Sequence, residues 1–447
     1  MAHHHEEVVI ADERFNFSDG IKKTIFIIGG VGLILLIAGC IIAAFTGGGH
    51  EEAAAHAEAT HVETAQAGAA VTEHGGSGTE HSEFHWYDRL FVSLWINNVY
   101  FTGLAIIGVF FLAIQYVAQA GWSAGIKRVM ESFGAWLPYA GVLMLVTFII
   151  ANHTLFHWTH GYLYEEGTAG YDAIIAGKRA YLNTPFYLIR MVAYFGLWYW
   201  MFRLLRRESL AEDINGGTAH YYKMIKYSTI FIIIFAVTSS TSAWDWILSI
   251  DTHWFSTMIG WYVFASWFAA GLAAITLLVV RLRENGYLMI VGSEHLHDLG
   301  KFVFAFSIFW TYIWLGQYLL IYYANIPEES IYFIERLSSD FYMPIFWMLI
   351  LLNFVIPFLV LMTRDSKRLT IFLKVVCSIV LLGHWFDFYL LITPGTLAEN
   401  GAFGLLEIGC AMVYLAAFVF VILTSLASAP LIAKNHPMLE ESIHHHT

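Results

Sequence analysis

Charge is what this chain has least of. Asp, Glu, Lys and Arg make up 13% of its 447 residues while 58% are hydrophobic, against about 25% charged in a soluble domain. That balance excludes an ordinary water-soluble fold and predicts a chain that crosses a membrane several times. Cysteine is scarce as well. Cys40, Cys377 and Cys410 each lie inside an apolar run, and no CxxC or CxxCH occurs. Iron–sulfur and c-type haem ligation within this chain are thereby excluded. The net charge of −12 argues against nucleic acid and against attachment to anionic lipid by a basic patch. From Thr46 to His85 there is no Lys or Arg at all.

What is abundant is apolar and aromatic. Aromatics reach 17%, with many Trp and Tyr near the ends of apolar runs, as interface anchors are. Ten runs approach the ~20 residues a hydrocarbon core requires. They fall at residues 21–45, 89–118, 134–158, 184–205, 225–250, 255–282, 300–325, 341–363, 369–392 and 402–428. The first starts near Ile21 and is long enough to span, so it reads as a span rather than a cleavable signal. On alternate sides, Arg89, Lys178, Arg179, Arg190 and Arg336 fall outside, leaving 18 of the 23 Lys and Arg inside. The positive-inside rule then places residues 1–20 and 429–447 in the cytoplasm and the Ala/Gly/His/Glu-rich residues 46–88 outside. The six His of that loop (His50, His56, His61, His74, His81, His85) show no repeated ligand spacing, so it reads as solvated low-complexity chain. His3–His5 and His444–His446 receive no role.

A weak internal repeat organises the spans. The fourth and eighth begin with Pro185 and Pro344 and end in Arg203–Arg207 and Arg364–Arg368. The fifth and ninth run into an acid among aromatics, Trp244-Asp245-Trp246 and Trp385-Phe386-Asp387-Phe388. The expected fold is all-α, with ten transmembrane helices. Residues 89–250 form a first four-helix bundle (spans two to five) and 251–392 a second (spans six to nine). The first span and the last, within residues 393–428, stay peripheral. Parallel repeats of this kind recur in membrane proteins.

Polar groups inside such a bundle demand a reason, since a charge at membrane depth costs roughly 2.5–3.5 kcal/mol even on the lenient insertion scale. His384 and Asp387 lie three residues apart on one helix face and form the deepest ionisable pair, suited to passing protons or to holding the bundle together. Gln317 and Tyr318 lie on a hydroxyl-rich seventh span with Thr311, Tyr322 and Asn325. Asn353 and Ser378 are single polar groups near mid-membrane that would continue a water wire inward, or serve as interhelical hydrogen bonds. Glu407 opens the last span. His153, His157 and His160 follow i, i+4, i+7 at the outer end of the third span, near the expected level of Asp245, Asp251 and His253. Titratable groups at one depth in the outer half suit quinol oxidation with outward proton release, or an outward proton exit.

Two stretches carry a resemblance. One is Asp245-Trp246-Ile247-Leu248-Ser249-Ile250-Asp251-Thr252-His253-Trp254-Phe255-Ser256-Thr257-Met258. The other is His297-Asp298-Leu299-Gly300-Lys301, running through FAFSIFWTYIWLGQYLLIYYANIPEE to Glu329. They resemble the paired integral membrane subunits of alternative complex III, a quinol:electron-acceptor oxidoreductase in the NrfD/PsrC-like superfamily. The long outer loop and modest length are similar to the second, ActF-like copy. The resemblance implies a bacterial inner-membrane setting and a subunit with no redox centre of its own. It implies as partners a homologous quinol-binding membrane subunit, an iron–sulfur subunit, c-type haem subunits and lipid. It implies quinone or menaquinone as the bound cofactor, with His153 or His157 and Asp245 or Asp251 as candidate quinol-binding residues. His384, Asp387, Gln317, Tyr318, Asn353, Ser378 and Glu407 are then the candidate proton-transfer residues.

Three other readings compete. A b-haem quinol dehydrogenase anchor needs two inward His at one level, and only His384 is deep. An ion-coupled transporter usually breaks a helix at mid-depth near an acid, whereas Pro185, Pro327, Pro344 and Pro394 fall at span ends. A structural scaffold would pair its acids only with its own cations.

Overall fold

A computed structural model describes residues 13–64, 84–168 and 170–446, with the backbone alone for residues 46–64. His3–His5, and the side chains of His50, His56, His61, His74 and His81, lie outside the described residues. The chain is about 80% helical, with no strands among the described residues. Among the described residues, nine helices are long and apolar enough to cross a membrane. This is an all-α, multi-pass architecture.

The helices in chain order are α1 (Asp19–Thr64), α2 (Trp86–Val117), α3 (Gly121–Leu155), α4 (Thr184–Asn215), α5 (Ala219–Leu248) and α6 (Ile259–Glu284). They continue with α7 (Ser293–Ala324), α8 (Pro327–Ser338), α9 (Tyr342–Val360), α10 (Thr370–Asn400) and α11 (Leu405–Ala427). Two differ from the sequence expectation. Helix α1 runs on to Thr64 where a loop was expected from residue 46, because the Glu/Ala-rich residues 51–59 are strong helix formers. Helix α4 is not among the nine. Arg190 lies in its apolar stretch, and Tyr187, Tyr194, Trp198, Tyr199 and Trp200 stand where aliphatic residues would raise its hydropathy. It is still 32 residues long, capped by the Asn183 side chain accepting from Phe186 N–H at 3.0 Å, with Pro185 in its first turn.

Packing sorts these helices into two rings. Helices α2, α3, α4 and α5 touch in turn, and so do α6, α7, α9 and α10. Helix α2 is shared, since it also packs on α6 and α10. It is apolar on every face, and 94% of its most apolar window is buried, as a helix at the centre must be. Its few polar groups tie neighbours to it. Asn97 Oδ1 accepts from Trp385 Nε1 at 3.0 Å and Asn98 Oδ1 from Tyr414 O–H at 2.8 Å, while Tyr100 O–H donates to Leu381 O at 2.8 Å. Helices α1 and α11 pair with each other at the side, both resting on α2. Gly39 and Gly409 permit their close approach, since a Cβ on Gly39 would strike the backbone of Leu406 and one on Gly409 that of Leu36.

The connections fall into two groups by contact. At one end Leu431 N–H donates to Glu13 O at 2.8 Å, Arg14 bridges to Pro430, and the Asn435 amide donates to Asp213 O at 2.8 Å. There too His445 pairs with Asp298 at 2.7 Å and Arg368 with Glu294 at 2.6 Å. At the other end His253 pairs with Asp172 at 2.5 Å, Arg336 faces Asp251, and Trp254 Nε1 donates to Glu329 O at 3.1 Å. Helix α4 connects the second group, at Asn183, to the first, at Asn215.

Candidate functional site

Three buried acids, Asp245, Glu407 and Asp387, meet two different fates. Asp245 sits where α5 widens into a π-turn over Trp244–Leu248, a distortion common at functional positions. Arg190 of α4 grips it through two bonds of 2.8 Å, and Tyr194 O–H donates to it at 2.9 Å. The guanidinium is stacked on Tyr181 at 3.9 Å and donates to Tyr181 O at 2.9 Å. This bidentate pair is satisfied on all sides. Glu407 is likewise taken: Arg89 of α2 donates to it at 2.8 and 3.0 Å, and Gly404 N–H at 2.7 Å. Here the carboxylate caps its own helix and ties α11 to α2.

Asp387 differs. It is fully buried, and its direct hydrogen-bond donors are neutral: Tyr262 O–H on Oδ1, Ser266 O–H at 2.8 Å and Trp310 Nε1–H at 2.9 Å on Oδ2. His384 stands one turn before it, 3.7 Å away. Its Nδ1 lies 2.9 Å from Ser266 Oγ. Since Ser266 donates to Asp387, its oxygen accepts from His384 Nδ1–H. The imidazole, the hydroxyl and the carboxyl thus form one line, and Trp310 packs edge-on against the imidazole at 5.4 Å. Helices α6, α7 and α10 each supply part of it because Tyr262 and Ser266, like His384 and Asp387, are one helical turn apart.

The line borders a cleft at Asp387 and ends at an unpartnered ring nitrogen at His384. Beyond His384, its buried Nε2 has no partner, nor have both amide atoms of Asn353 and the hydroxyl of Ser307. Asn353 lies in the π-turn Leu351–Val355, pressed against Gly383. The Asn353 amide thus lies against the backbone next to His384, and these buried polar atoms have no protein partner. Beyond Asp387 lies a small cleft lined among others by Asp387, Tyr262, Gln317, Tyr332 and Arg336. Much of it is interstitial, with room for water rather than a ring. Gln317 donates from there to Ser256 Oγ at 2.9 Å, on the connection that carries Asp251 and His253.

No family model matches the chain, and no curated protein does. The site is therefore read from its own geometry.

The other sequence candidates are dispersed. His153 is exposed and half-buried His157 lies in the turn after α3. Their contacts are with Thr159, His160 and Tyr162 rather than with Asp245. Burial pushes the His157 imidazole below its usual range, and His160 adds to this. Asp251 faces Arg336 at 3.5 Å. Tyr318 packs among Trp314, Phe333 and Phe346, and Ser378 is exposed on the outer surface of α10. A quinone does not fit at Asp245, whose two oxygens are taken by Arg190 and Tyr194 and which neither His153 nor His157 contacts. Among the described residues no group of three or more His, Cys, Asp or Glu is arranged to hold a metal.

Several residues central to this arrangement escape a sequence reading. Tyr262, Ser266 and Trp310 look like ordinary span residues, although a Tyr and a Ser at i, i+4 on the helix facing His384 are a usable signal. Arg190 and Arg336 enter the topology count only as outer charges. A third set lies at the end where Arg14 meets Pro430, with Lys127, Arg128 and Arg206 against Glu131, Glu212 and Asp213. Its three cations and three acids balance.

Proposed function

We propose that this chain is an integral membrane subunit of a quinol:electron-acceptor oxidoreductase of the alternative complex III kind, and that its second helix bundle carries protons. In this reading ten helices cross the bacterial inner membrane as two four-helix bundles with a peripheral pair, and both termini are cytoplasmic. The joined terminal segments support an even number of crossings, which requires α4 to count as the tenth. Electrons pass through partner subunits carrying iron–sulfur clusters and c-type haem. The homologous membrane subunit holds the quinone, whose candidate residues here do not fit it.

The observation that carries the proposal is the buried line His384–Ser266–Asp387, with orphaned polar atoms at one end and a water-sized cleft at the other. Asp387 is bonded by hydroxyl and indole donors alone, with no guanidinium on it, and a carboxyl in line with a hydroxyl and an imidazole is the arrangement a proton relay uses. Asp245 and Glu407, fixed by guanidinium groups, serve the scaffold instead.

The test is Asp387→Asn in the assembled complex, reconstituted in sealed vesicles. Proton release per quinol should fall while the subunits still assemble. Unchanged proton yield with normal assembly would remove the proton role.

A further inference from the structure

The two bundles contain the same parts in different states. Each has a buried acid after a polar, aromatic-rich helix, and each has an arginine stacked on a tyrosine: Arg190 on Tyr181 and Arg336 on Tyr332, the latter at 3.4 Å. In the first bundle the arginine grips its acid in a closed bidentate pair. In the second it is held apart from Asp387, although both line the same cleft.

The seat of Arg336 explains the separation. Pro394 interrupts α10 and has no N–H, so the carbonyl of Leu390 one turn earlier loses its helical partner. Arg336 Nε donates to that carbonyl at 3.3 Å, Nη2 to Leu391 O at 3.4 Å and Nη1 to Tyr332 O at 2.8 Å. Tyr332 is stacked on Trp254 at 3.9 Å. The guanidinium is thus fixed, 2% exposed, with Asp251 on its other side at 3.5 Å. That separation is too long for a tight charge-assisted bond. Asp251 in turn presses against Gly395, where no Cβ would fit.

We infer that Asp251 and Arg336 form the outlet of the proton line: Asp251 takes up the proton that leaves Asp387, and Arg336 is the positioning residue whose fixed charge stands between the two carboxyls. This rests on the proton-carrying reading above. In the step, the O–H bond of protonated Asp387 breaks and, by water in the cleft that Arg336 shares with Asp387 and onward past that guanidinium, an O–H bond forms on the Asp251 carboxylate. Asp387 is left as the anion, and Asp251 then gives its proton to bulk water and returns to its starting form. A cation fixed between two acids favours whichever is ionised at the moment and thereby stabilises both stages. The groups facing Asp251 are Arg336, Glu335 and Tyr332 of α8. Those facing Asp387 are Tyr262 and Ser266 of α6, Trp310 and Gln317 of α7, His384 of its own helix, and Arg336 and Tyr332 across the cleft. Burial raises the Asp251 carboxyl above the usual carboxylate range, an effect Arg336 offsets only in part. Glu335 is raised by burial and by Asp251 beside it. Both shifts fit a carboxyl pair able to retain a proton.

The experiment compares Asp251→Asn, Arg336→Lys, Arg336→Gln and Asp387→Asn in the assembled complex in sealed vesicles, following outward proton release after quinol addition across a pH series. Asp251→Asn should slow release about tenfold or more and lose the limb of the pH profile that reports Asp251. Arg336→Lys should retain most of the release, and Arg336→Gln should behave as Asp251→Asn does. Normal release in Asp251→Asn together with lost release in Asp387→Asn overturns the outlet and leaves the line standing. Normal release in both overturns the line itself. Should Arg336→Gln fail to assemble, Asp251→Asn decides, because it leaves every carbonyl bond of Arg336 in place.

Discussion

Three carboxylates of one chemistry, Asp245, Asp387 and Glu407, behave differently because of what touches them. Asp245 and Glu407 are each met by a guanidinium within 2.8 Å, whereas Asp387 receives hydroxyl and indole donors. Taking a charge out of water costs several kcal/mol, recovered only when the partner's geometry is good. Removing one partner of such a pair therefore destabilises strongly. Arg190→Met should lower unfolding stability by about 3–5 kcal/mol, measured by denaturant titration in detergent. Adding Asp245→Asn should recover much of the loss, because the stranded charge is gone. A variant as stable as wild type would show that the pair contributes nothing.

Among the elements, the connection between α3 and α4 is the one whose stability should follow pH. It carries His157 and Asp172, and Asp172 binds His253 at 2.5 Å and caps a short helix through the N–H groups of Ile174 and Ile175. Burial would raise the Asp172 carboxyl, but the Ile175 N–H and His253 more than offset it and hold it below its usual value. A depressed acid stabilises above its unfolded pKa, and that contribution disappears as pH falls through the folded value. His157 is also depressed, by burial, so the unfolded loop binds its proton first and stability declines as pH drops below about 6.5. Acidification should thus loosen this connection in two stages, His157 before Asp172. Hydrogen exchange of residues 156–183 between pH 8 and roughly 3 is the measurement. Protection that is flat across that range would refute the assignment.

At the scale of the whole molecule, the contacts between connections decide the path of the chain. Both terminal segments meet at one end, while Asp172, His253, Arg336 and Asp251 meet at the other. With Arg14 joined to Pro430, the proposed even number of crossings requires α4 to cross. Cysteines introduced at Thr168 and Gly217 should therefore react with an impermeant maleimide from opposite faces of sealed vesicles. Labelling of both from one face would mean that α4 does not cross, despite its 32 residues.

Composition and run length alone determined that this chain is all-helical and many times membrane-spanning, because lipid admits only helices and closed barrels and apolar runs of about 20 residues suit the helix. The pairing of His384 with Asp387 was legible for the same reason: helical spacing places i and i+3 on one face. What Asp387 meets was not legible. Ser266, Tyr262 and Trp310 arrive from other helices, and the rotation of each helix about its axis is set by packing that no single run encodes. Ser378 turned outward and Asn353 inward on the same physical ground. Only the tertiary structure decided which acids are locked by arginine and which one is free. That choice depends on contacts of 2.8 Å between residues as far apart in sequence as Arg190 and Asp245 or Arg89 and Glu407.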